Sequence, residues 1–301
     1  MRLNPQSLDL SPEQTSKKIE DFIRFYFKHG TWNKIVVPIS GGLDSSVTAA
    51  LCVQAIGKDK VVGLKLPERK GNPAASKYAN QLAEYLKFTT KTIPITKGIK
   101  VMHGYRFILS WFPTRALKSI LVTKYLSGAK ENLYVKTLKG EGTSMMYKSM
   151  AAIYIKQRVR LIYTYQYAEA NNYMVVGAAN RTETMIGMFA KFGIDHLAEI
   201  MPIKPLYRSQ ILQLAEYLGI PNTIISRSPN PDVLPGVTDK YKDFIGTDAQ
   251  TIDLILHGIE KEMEPEEIAE HLDIPEETIA QIQSAVNYSR HMRTFSQEPN
   301  L

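Results

Sequence analysis

The stretch KIVVPISGGLDSSVTAALC, residues 34–52, decides the fold of this chain. A short apolar run ends abruptly at Ser40, two glycines and an aspartate follow, and helix-forming residues then resume. Gly41 and Gly42 lack Cβ atoms, so the backbone N–H groups around them can turn toward an anion and approach it closely. A helix beginning near Ser45 would add the positive end of its dipole. The stretch therefore predicts a buried strand, an anion-binding turn and a helix.

The aspartate in this turn points to a metal ion. Asp44 is out of place in a loop that only binds an anion, because its charge would repel phosphate. It becomes sensible if Mg²⁺ bridges the carboxylate and the phosphate, while Ser40, Ser45 and Ser46 donate further hydrogen bonds. The loop lacks the lysine of a P-loop, which argues against simple transfer of a γ-phosphate. The alternative is an ordinary turn with a capping aspartate and serines.

Apolar strands and helices alternate along the first two thirds of the chain. We expect strands at KIVVPI, VVGLKL, FTTKTIPI and YMVVGA, residues 34–39, 61–66, 88–95 and 173–178. Such alternation is typical of a parallel sheet with helices on both faces. Right-handed crossovers would bring the strand-to-helix turns to one sheet edge, where ligands bind.

The fold expected is a single α/β domain over residues 1–301, a doubly wound parallel sheet with helices on both faces. A helical C-terminal extension is expected from about residue 209. A long helix is predicted at about 149–171 and another over NRTETMIGMFAKFG, residues 180–193. A polar loop rich in proline and aspartate, residues 226–247, interrupts the helical extension.

Composition narrows the protein class. The 301 residues are 44% apolar and 22% charged, which is typical of a globular protein. A single cysteine, Cys52, excludes an intrachain disulfide and a zinc site built from several thiolates, and it is expected in the core. No apolar run reaches the ~20 residues of a membrane span, and the N-terminal residues lack the apolar region of a signal peptide. The expected location is the cytoplasm.

Positive charge is concentrated in one segment. The chain has a net charge of +7, yet residues 97–149 alone carry ten Lys and Arg against two Glu, a local excess of +8. Six aromatic residues lie among the charges of residues 97–142. This basic insertion is open to three interpretations: a helical lid with a solvated basic face, a wall for an anionic substrate, or a surface for RNA or a membrane.

The motif SGGLDSS resembles the pyrophosphatase loop of the ATP-pyrophosphatase (adenine nucleotide α-hydrolase-like) superfamily. Within it, the chain is most similar to the ammonia-dependent NAD synthetase family over residues 35–94 and 155–293. The blocks that carry the resemblance are PISGGLDSSVTAAL, VVGLKLPER, KQRVRLIYTYQYAEANNYMVVGAANRTETMIGMFAKFG, PIKPLYRSQILQLAEYLGIP and SRHMR. The resemblance implies an amide ligase that adenylates a carboxylate and releases pyrophosphate, after which ammonia displaces AMP. The carboxylate substrate that the resemblance favours is deamido-NAD. It also implies ATP and Mg²⁺, a homodimer, and ammonia that is free or comes from a partner subunit.

The resemblance also implies roles for individual residues. Asp44 and Glu183 match the carboxylates that hold magnesium, and both count among the catalytic residues with Asp195 and Lys191. Asp195 matches only if Ile194 is a one-residue insertion. The ATP site implied comprises Ile39, Ser40, Gly41, Gly42, Leu43, Asp44, Ser45, Ser46, Ala178 and Arg208. The second-substrate site implied comprises Arg158, Lys191, Glu199 and His291.

The chain departs from the family pattern mainly on the side of the second substrate. On that side, Glu199 occupies the position of a family aspartate, Met292 that of a lysine and Tyr154 about that of an asparagine. On the ATP side, Ala178 replaces a threonine and Arg208 replaces a lysine. An amide ligase for a different carboxylate therefore stays open. So does a nucleic-acid-binding or RNA-modifying protein, which the basic insertion motivates.

Three other patterns in the sequence each have a simpler explanation. PEEIAEHLDIPEETIAQIQSAV, residues 265–286, could form a helix-turn-helix, but its second helix is acidic and nucleic acid is not the expected partner. The apolar surroundings of Cys52 argue against sulfur transfer through a persulfide. His196 is either an incidental loop residue or an acid or base beside Asp195.

Overall fold

Four parallel strands form the centre of the molecule in the order β3-β2-β1-β4. The computed structural model describes residues 2–69, 71, 73–105, 132–230, 237–295 and 299. The strands are β1 (Lys34–Pro38), β2 (Val61–Lys65), β3 (Thr89–Thr92) and β4 (Tyr173–Val175). Because β2 and β4 flank β1 on opposite sides, the order in which the strands are added to the sheet reverses at β1. At such a reversal a crevice opens at the carboxyl ends of the two strands, here β1 and β4. The predicted parallel sheet is confirmed.

Helices fill the connections between the strands and make up the C-terminal part. Short 3₁₀ helices lie at Pro5–Leu8 and Lys58–Lys60. The α-helices of the described residues are α1 (Pro12–His29), α2 (Leu43–Ile56), α3 (Pro73–Leu86), α4 (Thr96–Val101), α5 (Leu133–Leu138), α6 (Ser144–Asn171), α7 (Arg181–Ile186), α8 (Arg208–Tyr217), α9 (Asn222–Ile225), α10 (Lys240–Ile245), α11 (Ala249–Glu260), α12 (Pro265–Leu272), α13 (Glu276–Tyr288) and α14 (Arg290–Arg293).

The sheet is buried on both faces. Side chains of a strand alternate between the two faces, so neighbouring residues of β1 enter different clusters. Ile35 and Val37 pack into the large core that α1, α2, α3 and α8 cover. Val36 packs with Val175 and with Ala168 of α6 on the other face. This confirms the helices on both faces, and Cys52 is fully buried in the larger core, as predicted.

The C-terminal helices form a second apolar cluster of their own. Ile252, Ile255, Ile268 and Ile279 are fully buried there, and the N-terminal segment contributes Leu8. The cluster also includes Tyr134 and Ile186, so it borders the helix that follows β4. The predicted helical extension is therefore confirmed, and it packs beside the edge of the sheet at which β1 and β4 end.

Helix boundaries differ from the prediction in three places. The helix predicted over residues 180–193 ends at Ile186, because Gly187 adopts a left-handed conformation with φ of 76°. The long helix begins at Ser144 rather than near residue 149, with the Thr143 side chain capping it. The predicted polar loop contains α10, whose N-terminus is capped by Asp239.

Much of the basic insertion, residues 106–131, lies outside the described residues. Its ends are α4 on one side and α5 with the start of α6 on the other. Across the part of the chain that the structure describes, no helix has the length and apolarity needed to cross a membrane.

Candidate active site

A cavity of about 360 Å³ opens at the carboxyl ends of β1 and β4. It lies where a doubly wound sheet is expected to bind its ligand. The predicted site residues that line it are Ile39, Ser40, Gly42, Leu43, Asp44, Ser45, Ala178, Glu183, Asp195 and Arg208. Residues separated by as many as 169 positions in the sequence thus meet in one place.

The loop between β1 and α2 is held by its own serines. Ser45 Oγ and Ser46 Oγ both donate to the carbonyl oxygen of Gly42, at 3.1 and 2.8 Å. Ser45 Oγ also accepts the N–H of Ser40 at 3.3 Å. No side chain caps α2, because its N-cap is Gly42. The N–H groups of the first turn of α2 are therefore left to bind a ligand.

Only glycine fits at position 41. Its φ of 70° lies in the left-handed region, and an added Cβ would come within 2.6 Å of the Ala75 carbonyl oxygen and 2.7 Å of Tyr78 Cβ. The Gly41 carbonyl oxygen accepts a hydrogen bond from Arg227 Nη1 at 3.1 Å. The turn is thus pressed against α3, which fixes where its N–H groups point.

Asp44 is ionised and held by two partners. Its Oδ1 accepts a hydrogen bond from Asn180 Nδ2 at 3.0 Å, and its Oδ2 pairs with Arg208 Nη1. Burial alone would raise the pKa of Asp44, but the charges of Arg208 and Lys240 and the hydrogen bonds outweigh it and hold the pKa below its ordinary value. The same contact raises the pKa of Arg208 against the effect of burial.

The Asn180 side chain links Glu183 to Asp44. The Oδ1 atom of Asn180 accepts the N–H of Glu183 at 2.8 Å, which caps α7, while the amide nitrogen of the same side chain binds Asp44. The Glu183 carboxylate pairs with Lys240 Nζ of α10. Tyr241 OH donates to it at 3.4 Å. One buried amide therefore ties the Asp44 carboxylate to the backbone that carries Glu183, while Lys240 and Tyr241 hold the Glu183 carboxylate.

The oxygen donors of the cavity fit a magnesium ion. Mg²⁺ prefers oxygen ligands and is usually bound through one or two carboxylates together with substrate phosphates. Asp44 and Glu183 supply such a pair. Over the described ranges, no three His, Cys, Asp or Glu side chains are grouped so that they could hold a metal by themselves. The donor set therefore fits a Mg²⁺ that is also bound by substrate phosphate oxygens. The ion would bind the same carboxylates that Arg208 and Lys240 contact.

Among the described residues, Asp195 is the cavity acid that forms no ion pair, whereas Asp44, Glu68 and Glu183 each form at least one. Burial is the main cause that raises its pKa; the negative charges of Glu183 and Asp44 act in the same direction, and the positive charges of Lys240 and Arg160 act against it. The pKa of Asp195 is about 6. A carboxyl group with a pKa near the working pH can take up and release a proton, which suits an acid–base role.

Asp253, on α11, ties together the helices that carry Glu183 and Arg208. Its carboxylate accepts hydrogen bonds from Thr182 Oγ1 and, at 2.8 Å, from the N–H of Ser209. Thr182 Oγ1 in turn accepts the N–H of Arg208 at 2.9 Å. Burial raises the pKa of Asp253 to about 6 against these hydrogen bonds. The C-terminal extension thus fixes the N-termini of α7 and α8.

The residues predicted to bind the second substrate fall into two places. Arg158 Nε and Nη2 donate to the Lys191 carbonyl oxygen at 3.2 and 3.1 Å, and Lys191 Nζ donates to the His291 carbonyl oxygen at 2.7 Å. Three residues far apart in sequence are therefore brought together. Glu199 lies elsewhere, at the end of β4, where its Oε2 accepts the N–H of Val175 at 2.8 Å. None of the four lines the cavity.

A buried charged cluster forms another wall of the cavity, and the sequence analysis did not identify it. Glu68 accepts hydrogen bonds from Lys156 Nζ at 3.1 Å, Arg160 Nη2 at 3.3 Å and Tyr105 OH at 2.9 Å. Within the described contacts, two cations face this one carboxylate. Glu68 and Arg160 line the cavity.

Sequence reasoning also missed Asn180 and Lys240. Asn180 carries a local signal, because an asparagine three residues before a glutamate often caps a helix, but its bond to Asp44 has no local signal. Asp239 followed by an amphipathic run similarly indicates the helix of Lys240. The pairing of Lys240 with Glu183 spans 57 residues, and no spacing rule covers that distance.

Replacing Asp195 is expected to stabilise the protein. The unfolded chain releases this proton near the ordinary value of 3.8, whereas the folded chain holds it until about 6, so Asp195 costs stability as the pH rises through this range. Asp195→Asn should raise the free energy of unfolding by about 1–2 kcal/mol near pH 7 and by almost nothing near pH 3. Urea unfolding at the two pH values measures the difference.

Asp9→Asn is the matched control, since it makes the same change of charge at an exposed position. It should change the free energy of unfolding by less than about 0.5 kcal/mol. An Asp195→Asn variant that is less stable than the wild type near neutral pH would contradict the assigned environment.

Comparisons with known proteins agree on one family. The NAD synthase model matches residues 15–108 and 124–296, and the gap between these ranges falls inside the basic insertion. The chain is 34% identical over 278 residues to the NH(3)-dependent NAD(+) synthetase of Coprothermobacter proteolyticus, covering 89% of this chain and 93% of that protein. It is 33% identical over 291 residues to the NH(3)-dependent NAD(+) synthetase of Methanocaldococcus jannaschii, covering 97% and 98%.

A solved structure shares the fold. NMN synthetase from Francisella tularensis superimposes with a TM-score of 0.71 at 24% identity, over 97% of this chain and 100% of that chain. The fold, the nucleotide loop and the sequence matches lead to the same conclusion: this chain belongs to the NAD synthase family.

Proposed function

We propose that this chain is an ATP-dependent amide ligase that converts deamido-NAD into NAD with ammonia, releasing AMP and pyrophosphate. The observation that carries the proposal is the convergence of the anion-binding loop, Asp44, Glu183 and Arg208 in one cavity of an NAD synthase family member. The relatives named above are NH(3)-dependent NAD(+) synthetases and span nearly the whole chain. The reaction forms a C–N bond.

The ATP side of the cavity is built to receive phosphates. N–H groups at the start of α2 face the cavity, and Arg208 and Lys240 bring two cations to the same place. Asp44 and Glu183 would hold Mg²⁺, which when bound neutralises charge on the departing pyrophosphate. Catalysis on this side is positioning and charge stabilisation, with no protein nucleophile.

Two displacements complete the reaction. An oxygen of the substrate carboxylate attacks the α-phosphorus, and the bond to the bridging oxygen breaks so that its electron pair leaves with pyrophosphate. Ammonia then attacks the carbonyl carbon of the acyl-adenylate, and the bond to AMP breaks. The attacking nitrogen must lose a proton, and Asp195, with its pKa of about 6, is the group that we assign to accept it.

The second substrate is placed on the side of Arg158 and Lys191. A dinucleotide carries a pyrophosphate and a carboxylate, and these two cations with the basic insertion supply opposite charge. His291 completes the proposed subsite, and Glu199, at the end of β4, would have to meet a separate part of the substrate. We also infer that the protein acts in the cytoplasm as a homodimer, consistent with its single buried cysteine and its family.

A different carboxylate is the second candidate. Glu199 and Met292 depart from the family pattern, and Met292 is buried rather than available to an anion. The similar structure from Francisella tularensis is that of an NMN synthetase, so a mononucleotide acid is the alternative to test. The nucleic-acid-binding alternative has no support in the described residues.

The substrate is identified by assaying ATP, Mg²⁺ and ammonium with deamido-NAD, with nicotinic acid mononucleotide, and with no acid. We expect deamido-NAD to yield NAD, AMP and pyrophosphate in equal amounts and to exceed the mononucleotide by at least about tenfold in kcat/KM, because an additional anchored phosphate and nucleoside contribute binding energy. Chromatography with a pyrophosphate assay measures all three products.

A preference for the mononucleotide would transfer the proposal to the second candidate. Pyrophosphate release without any amide, with either acid and saturating ammonium, would contradict ammonia transfer while leaving adenylation intact.

Asp44→Asn should abolish turnover without unfolding the protein. The change removes a magnesium ligand and the negative partner of Arg208 but keeps the volume of the side chain, so kcat should fall at least ~10²-fold, as for loss of a main electrostatic stabiliser. Glu183→Gln should behave alike, because both carboxylates serve the same ion. Steady-state kinetics with circular dichroism separates lost activity from lost fold. Asp9→Asn is again the charge-matched control, and near-full activity of Asp44→Asn would refute the metal-binding role.

A further inference from the structure

His196 is a buried imidazole enclosed by aromatic rings. Only 5% of its surface is exposed. Its ring is stacked between Phe189 and Phe295, with both centroids 5.2 Å away and interplanar angles of 15° and 28°. Phe192 meets its edge at 5.7 Å and 67°. The ring therefore joins the turn after α7 to the C-terminal segment.

One hydrogen bond fixes the protonation of this ring. His196 Nδ1 lies 3.2 Å from the backbone nitrogen of Phe192 and accepts its N–H. Nδ1 must then carry a lone pair, so the proton of the neutral ring sits on Nε2. Nε2 is buried and has no hydrogen-bond partner among the described residues. The ring contributes one acceptor, directed at Phe192.

The turn that receives this bond has an unfavourable backbone. Phe192 has a φ of 60°, which lies in the left-handed region that residues other than glycine rarely adopt. A conformation of this kind persists only where its surroundings hold it. The hydrogen bond to His196 Nδ1 is a contact that holds it, together with the edge contact between the two rings.

The same turn carries the cation predicted to meet the second substrate. Lys191 precedes Phe192, its carbonyl oxygen accepts both hydrogen bonds from Arg158, and its Nζ donates to the His291 carbonyl oxygen. A change in the backbone at Phe192 would rotate that carbonyl group away from Arg158. The orientation of both cations thus depends on the conformation of the turn.

We propose that neutral His196 is a positioning residue for the second substrate, which holds the turn at Phe192 so that Lys191 and Arg158 keep their orientation. The role of these two cations rests on the proposed function, whereas the support of the turn by His196 does not. His196 acts through Phe192 and touches no substrate.

Protonation would remove the support. An imidazolium carries N–H groups on both nitrogens, so Nδ1 would present a hydrogen to the N–H of Phe192 instead of accepting it. Lys204 and Lys191 are the charged groups that act on the ring, and both repel an imidazolium, while three phenylalanine rings enclose its remaining sides. Burial and these lysines lower the pKa of His196 below 6.5. The support is present at neutral pH and is lost as the pH falls well below that value.

Two substitutions distinguish the effect of the Nδ1 hydrogen-bond acceptor from the effect of ring stacking. His196→Phe keeps a ring in the stack and removes the acceptor. His196→Asn gives up the stack but places an amide oxygen close to the position of Nδ1, and it cannot be protonated. We expect His196→Phe to raise the KM for deamido-NAD about fivefold to tenfold, the equivalent of one lost hydrogen bond, with the KM for ATP changed less than about twofold. His196→Asn should stay within about threefold of the wild type.

The pH dependence distinguishes positioning from general structural damage. As the pH falls from neutral to values well below 6.5, the KM of the wild type for deamido-NAD should rise more steeply than that of His196→Asn. Equal KM values for His196→Phe and the wild type, or an equal rise of KM for ATP, would overturn the proposal.

Hydrogen exchange at the Phe192 amide tests the support without any substrate. At neutral pH this amide should exchange at least about fivefold faster in His196→Phe than in the wild type, and His196→Asn should retain most of the protection. Equal exchange in all three proteins would overturn the proposal whatever acid the enzyme uses. A clear difference in exchange, with no NAD formed, would retain the support of the turn and reject the proposed substrate instead.

Discussion

The arrangement of the site depends on one buried amide. Asn180 caps α7 by accepting the N–H of Glu183, and its nitrogen donates to Asp44 of the neighbouring strand-to-helix turn. These two contacts join the ends of β1 and β4, the place where the winding of the sheet reverses. Because the amide is fully buried and both of its ends are used, the Asp44 carboxylate is held in a fixed position relative to the backbone at the start of α7.

Charge balance around that amide gives the cavity its chemical character. Asp44 is paired with Arg208 and Glu183 with Lys240, so each of these two acids has its own cation inside a partly closed space. Among the described residues Asp195 forms no such ion pair, and its pKa rises to about 6 because of burial and of the other two carboxylates. Asp44, whose pKa is lowered, and Asp195, whose pKa is raised, therefore differ in proton affinity, an arrangement that suits the separate roles proposed for them.

The sequence predicted the parts of the site whose chemistry is local. The glycines and serines of residues 40–46 carry their own signal, because a strand, a glycine-rich turn and a helix lie consecutively. The resemblance to a family identified Arg208 and Glu183, and the structure brings both to that loop. Lys240 was missed, since its partner Glu183 is set by tertiary packing across 57 residues.

Packing across the chain also explains the errors in the predicted elements. The helix predicted over residues 180–193 stops at Ile186, where Gly187 turns left-handed against α13 and α14: a Cβ there would lie 2.3 Å from Ser289 Cβ. Arg293 Nη2 then donates to the Val286 carbonyl oxygen at 2.8 Å and fixes this corner. Helical periodicity within one segment cannot reveal a stop imposed by a segment about a hundred residues away.

The proposed reaction requires a substrate carboxylate to attack the α-phosphorus of ATP in this cavity. Deamido-NAD labelled with ¹⁸O in both carboxylate oxygens tests it most directly, because the attacking oxygen stays with the phosphorus when ammonia displaces AMP. Mass spectrometry should find one ¹⁸O in AMP, one in the amide of NAD, and none in pyrophosphate. Label in inorganic phosphate or pyrophosphate, or unlabelled AMP accompanying labelled NAD, would contradict adenylation of the carboxylate.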